Sequence, residues 1–231
     1  MIYSKFLLPF ILVGTSCFAQ YKFEMKDASA YYDAKITMED CSGDECRGKA
    51  VIDLFKKNGS KIDQTLTSEN LVFYLNQNNK ISQEETVRLD KNVVSDGPLI
   101  FDDFNFDGTE DVAVRNGNLG NYGAASYDVY VYNVTKKKFV PSEELTDLAS
   151  NSFGMFEVDH ERKRLITYAK SGAAMHYITE FTVIPNRGLV KVYEVEEDAS
   201  GGERVIVTTK EFKDDKWIKT VKNYPIDEYY K

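Results

Sequence analysis

Histidine is nearly absent from this chain, with two in 231 residues, and cysteine is scarce at three. A zinc centre needs several such ligands and a hydrolytic triad needs a histidine base, so both chemistries have little to be built from. There are only five prolines and no low-complexity tract, which argues against a fibrous or disordered protein. Positive charge is in deficit as well, with 29 Lys and Arg against 37 Asp and Glu and a formal charge of −8. A chain of that sign repels phosphate backbones, which counts against nucleic acid as a general partner. Beyond the first nineteen residues no apolar run is long enough to span a membrane.

Against these shortages, 42% of the residues are hydrophobic and 13% aromatic, enough for a substantial core in one large domain or two small ones. The first segment stands apart. Lys5, an apolar run over 6–13 and the small-residue exit Cys17-Phe-Ala19 form the pattern of a secretory signal peptide, with a mature chain starting at Gln20. Acylation at Cys17 would make the chain a lipoprotein, but Gly14 stands where a branched aliphatic is expected three positions earlier. The sequence therefore predicts export, to the periplasm, of residues 20–231. Losing Lys5 leaves 28 positive and 37 negative side chains, a charge of −9.

Two cysteines remain, in Cys41-Ser-Gly-Asp-Glu-Cys46. In an oxidising compartment a pair this close across a Gly-containing turn should form a disulfide, contributing about 2 kcal/mol on the chain-entropy account. A redox-active role is disfavoured, because Glu39, Asp40, Asp44 and Glu45 would raise a thiol pKa rather than lower it.

Period-two alternation recurs along the mature chain. It predicts strands over 31–38, 50–55, 61–66, 71–75, 110–115, 127–132, 153–158, 164–170, 176–184, 189–196, 203–212 and 216–224. Short turns at 58–60, 159–161, 186–188 and 214–215 link several of them as hairpins, so the sheets should be mainly antiparallel. One helix is expected over 142–149, N-capped by Ser142 with Glu143 and Glu144 in its first turn. The fold class is all-β, as a sandwich, barrel or propeller-like arrangement, in a single domain with a weak seam near 76–95.

The chemically specific motif is Asp103-Phe-Asn-Phe-Asp-Gly-Thr-Glu-Asp111. Oxygen ligands at alternate positions with a glycine at the sixth suit a tightly wound Ca2+ loop. Asp103, Asn105, Asp107, Asp111 and the carbonyl of Thr109 would supply the ligands, Gly108 the positive-φ turn, and Phe104 and Phe106 an anchor to the core. Val114 replaces the terminal glutamate of an EF-hand, and Val112-Ala-Val continues as a strand. The loop therefore looks like those of integrin-type and FG-GAP β-repeats, with a structural rather than catalytic metal.

The order of features extends the comparison. A Cys-containing β segment with Val51-Ile-Asp-Leu-Phe-Lys-Lys and Gln64-Thr-Leu precedes the acidic loop. A Gly/Asn/Tyr-rich segment at 117–127, then Tyr127-Asp-Val-Tyr-Val-Tyr and Lys138-Phe-Val, follow it. Over roughly residues 40–195 this resembles the calcium-binding periplasmic immunity proteins, relatives in role of lysozyme inhibitors that block peptidoglycan-hydrolase effectors. The resemblance implies an all-β inhibitor and a cell-wall hydrolase as partner.

Two loops could serve such a role. Gly117–Tyr127 is slim, with Asn118, Asn121, Tyr122 and Ser126 as polar tips; Ser171-Gly-Ala-Ala-Met-His176 is a second loop, without the lysine such insertion loops can carry. Either could instead be an ordinary surface loop, and His176 an ordinary hydrogen-bonded strand residue. The negative charge would steer the chain toward basic hydrolases. No catalytic set is legible, so an enzyme is not expected, although 37 acidic residues leave a glycosidase pair open. The competing reading is a calcium-dependent carbohydrate-binding or adhesion module using Trp217, Tyr229 and Tyr230, with core packing the favoured place for Trp217. Nothing in the sequence specifies an oligomer.

Overall fold

The computed structural model describes residues 20–75, 83–90, 97–185 and 187–231. The signal peptide with Lys5 and Cys17, positions 76–82 and 91–95 of the expected seam, and Asn186 lie outside the described residues.

Three sheets build the described residues. The first holds β1 (Tyr21–Met25), β2 (Tyr32–Met38), β3 (Cys41–Ser42), β4 (Glu45–Lys56), β5 (Ile62–Tyr74) and β6 (Thr86–Arg88), in the order β3-β4-β2-β1-β6 with β5 also on β4. The second is β10-β9-β8-β7, from β7 (Leu99–Asp102), β8 (Asp111–Arg115), β9 (Tyr127–Asn133) and β10 (Lys138–Pro141). After helix α1 (Glu143–Asn151) comes a meander of β11 (Glu157–Asp159), β12 (Arg164–Ser171), β13 (Met175–Ile184), β14 (Gly188–Asp198), β15 (Arg204–Lys213) and β16 (Lys216–Pro225), closed by α2 (Ile226–Tyr229). All strand pairs are antiparallel except β1 with β6. The fold is all-β and sandwich-like, as the alternation predicts.

The second sheet is the shared layer. Val112 and Val114 of β8 face the first sheet, joining a core with Phe23, Ile36, Ile52, Leu54 and Phe73. Ala113 faces the other way, with Tyr127 and Val129, against Leu145 and Ala149 of α1, Phe156 and Leu165. A strand buried on both sides reads as a continuous apolar run, which is why β8 is Val-Ala-Val rather than alternating. Helix α1 begins as expected: Ser142 Oγ accepts the Leu145 N–H at 3.5 Å, and Thr146 Oγ1 accepts the Val129 N–H at 2.8 Å, tying the helix to β9.

Cys41 and Cys46 form the disulfide, facing each other across the β3–β4 pair, and both are buried. The two strands expected at 61–66 and 71–75 are one, β5, paired along a long β4 whose Gly48 at φ 135° lies at a register shift. Phe153–Phe156 bends instead of extending, and the strand expected there begins only at Glu157. Trp217 is not core: it is 44% exposed on β16, tilted against Phe212 with ring centres 5.4 Å apart. Beyond β13 the third sheet is thinly covered, with Leu189 of β14 packed on the second core. No residue of β14 or β16 is fully buried, and on β15 only Val205 is.

Candidate functional site

The acidic loop leaves β7 and re-enters β8. Asp103 accepts the N–H groups of Asp107 (3.0 Å) and Gly108 (2.9 Å), Asn105 Oδ1 accepts that of Asp107 (2.9 Å), and Asp107 Oδ1 accepts that of Thr109 (2.8 Å). Gly108 sits at φ 88°, the left-handed turn its position demands. Phe104 is buried in the core and Phe106 half-buried beside it, so both aromatics anchor the loop as expected. Asp111 is fully buried; its oxygens accept the N–H of Tyr132 (2.8 Å) and of Phe104 (3.0 Å), stitching loop to sheet. Burial, aided by repulsion from Asp107 and Asp103, pushes its pKa up to about 7.

Does this set fit calcium? The donors are hard oxygens, the Asp103 and Asp111 oxygens each accept one N–H and keep a lone pair while Asp107 Oδ1 accepts both the N–H and the hydroxyl of Thr109, and the three acidic groups lie near enough to repel one another, a load a divalent cation relieves. The carboxylates are nonetheless turned onto the loop's own amides, and among the described residues no group of three His, Cys, Asp or Glu side chains is arranged to hold a metal. The donor atoms are of the kind calcium takes, while their side chains are engaged with the loop's own N–H and O–H groups.

The segment after β8 is pinned from below. Arg115 is buried; its Nε donates to Gly117 O (2.9 Å) and its Nη2 to Asn118 Oδ1 (2.5 Å), and its guanidinium lies over the Tyr127 ring. Ser126, expected as a polar tip, is fully buried instead: its hydroxyl donates to Asn116 O and accepts the Leu119 N–H, closing the loop at its base. Asn121 is turned inward too, its N–H on Ser152 O at 2.8 Å and its side-chain oxygen shut from solvent. Asn118 and Tyr122 remain as surface groups, with Tyr122 at φ 57° and 62% exposed.

The two predicted loops meet. The Gly172 N–H donates to the Tyr122 hydroxyl oxygen at 2.6 Å, so the ring of one loop is held by the backbone of the other, beside exposed Ser171. Lys170, at the end of β12, places its ammonium 4.9 Å from the Tyr122 ring centre and 5.0 Å from that of Phe153. His176 lies 3.7 Å from a Glu197 oxygen, and a shallow cavity of about 300 Å³ runs from Phe153 and Tyr168 past Lys170 to His176. Lys170 and Phe153 escape motif reading. The alternation of β12 does put Tyr168 and Lys170 on one face, which is the signal available.

No protein family matches the chain, and no curated protein does. One solved structure is similar: a Xanthomonas protein described as related to the type IV secretion system. It superposes with a TM-score of 0.61 at 22% identity, over 83% of this chain and 90% of that one. At that identity the likeness speaks for the fold alone. Among the described residues no helix is long and apolar enough to cross a membrane.

Proposed function

We propose that the chain is an exported, calcium-stabilised immunity protein that binds and inhibits a peptidoglycan hydrolase, in the periplasm. The observation that carries this reading is the joined surface of Tyr122, Gly172, Lys170 and Phe153. Two loops separated by 50 positions form one exposed aromatic and cationic face, already held rigid by Arg115 and Ser126. A preformed aromatic anchor lowers the ordering cost of association, and tyrosine is enriched where binding energy concentrates. Ser171 and His176 border the same face, and Asn118 belongs to the loop that carries Tyr122. The secretion-related description of the structural neighbour is compatible with this context, and the disulfide with an oxidising compartment. Asp103, Asn105, Asp107, Asp111 and the Thr109 carbonyl would hold Ca2+, whose part is to fix the loop. The net negative charge of the chain would draw a basic hydrolase toward it.

The test is stoichiometric binding to secreted peptidoglycan hydrolases, followed by inhibition of cell-wall lysis. Wild-type chain should form a one-to-one complex and suppress lysis, and Tyr122→Ala should weaken it by about tenfold or more. Inhibition unaltered by Tyr122→Ala, or no complex with glycosidase or amidase classes, would overturn it. A carbohydrate-binding or adhesion module is the second reading, favoured by the exposure of Trp217 and Tyr230; retention on purified peptidoglycan without any hydrolase would select it.

A further inference from the structure

A second cavity, of about 450 Å³, opens between the acidic loop, the β1–β2 connection and the end of β4. It falls within the size range of small-molecule sites. Tyr31 stands at it with 63% of its surface exposed, yet its backbone is fastened on both sides. Its N–H donates to Ser29 Oγ at 3.0 Å, and its carbonyl accepts the Lys57 N–H at 2.8 Å. Lys57 in turn is clamped by Asp27 and Asp33, so the connection is rigid. An aromatic ring left in water on a fixed backbone is what folding alone does not require.

The remaining walls are polar. Lys56 spends one donor on the Tyr32 hydroxyl (2.5 Å) and pairs with Asp63 at 3.4 Å, while its ammonium sits 4.3 Å from the Tyr32 ring centre and 5.4 Å from that of Tyr132. Thr109 and Glu110 complete the cavity from the loop side. Both lysines are already matched by aspartates and Glu110 adds a further negative charge, so an anionic ligand gains little here. Tyr32 is covered by Lys56 on its ring and stacked at 6.0 Å on Phe101, and Tyr132 has Lys56 over its ring and Phe139 against it, so Tyr31 is the lining aromatic most open to water. One apolar face beside a ring of donors and acceptors complements a molecule that is apolar on its flat side and hydroxylated around its rim.

We infer that this cavity binds a neutral pyranose sugar, its C–H face stacked on Tyr31 and its hydroxyls bonded to Lys56 and Thr109. The inference stands apart from the hydrolase face, which lies around Tyr122. Because the site borrows its wall from the acidic loop, sugar binding and loop order support each other.

Titration with chitotriose and with cellotriose, followed by calorimetry and amide chemical shifts, tests it. The two sugars separate acetamido from plain hydroxyl recognition. Saturable binding of at least one is expected, with shifts confined to 29–32, 56–57, 108–110 and 132. Tyr31→Ala should weaken it about tenfold with an unchanged unfolding midpoint, Lys56→Gln should weaken it too, and Tyr122→Ala should leave it as it was. Absence of saturable binding by both sugars, shifts centred elsewhere, or wild-type affinity in both site variants would overturn it. Hydrolase inhibition can fail or succeed independently of any of these results.

Discussion

A hydroxyl group with nowhere else to go can hold a loop as firmly as a packed ring. Ser126 is such a group, since its oxygen serves both the Leu119 N–H and the Asn116 carbonyl in a fully buried place. Ser126→Ala leaves both unpaired, and should cost about 1–3 kcal/mol in urea denaturation. The sequence presents Ser126 as one more small polar residue of a Gly/Asn-rich segment; its burial follows from the return of the chain beneath Asn116, a contact with no local signature. Asp33 carries a different kind of signal. The Asp27 N–H, with Lys57 beside it, holds its carboxyl below the usual carboxylate range. A depressed folded-state pKa gives stability that is complete above the unfolded value and fades as pH falls through the folded one. The unfolding midpoint should therefore drop below about pH 4, and Asp33→Asn should flatten that acid limb. An acid limb identical in the variant would show that the interaction adds nothing to folding.

At the scale of elements, hairpins were legible and long-range pairings were not. The turn of β15 and β16 is an example: Asp214 and Asp215 both lie at positive φ, 50° and 58°, the geometry of a type I′ turn. Aspartate tolerates that region less well than glycine, so Asp215→Gly should stabilise the hairpin by a few tenths to about 1 kcal/mol. The chemical-exchange rates of β16 amides report it, and faster exchange in the variant would refute it. β1 was missed because Tyr21–Met25 follows directly on the expected cleavage point, and its parallel partner β6 lies more than 60 residues on, beyond any pattern read in a window. The split reading of β5 has a local cause: Thr67-Ser-Glu-Asn70 is polar enough to resemble a break. Ser68 is nonetheless buried, its hydroxyl donating to the Arg115 carbonyl at 2.8 Å. For the site, the tight turn of the acidic loop is legible because its residues are contiguous. The face around Tyr122 was legible only as two separate loops, since the Gly172 bond spans 50 positions.

For the whole molecule, two cores share one central sheet, and the disulfide sits at the rim of the first. Reduction should therefore lower stability by about 2 kcal/mol without unfolding the chain, as read by circular dichroism in reductant; global unfolding would place far more weight on the bridge. Calcium should raise the thermal midpoint and a chelator should reverse the rise, since a ligand bound by the native state stabilises it by mass action. An unchanged midpoint across that titration would remove the metal from the account. The last strand of the third sheet carries a further consequence. Eight consecutive residues of β16, Lys216–Asn223, are exposed, so along that stretch the usual distinction between an inward and an outward position disappears. Substitutions there should be accepted almost indifferently on either side, making this edge the place where sequences of the same shape diverge fastest and where a label or fusion does least harm.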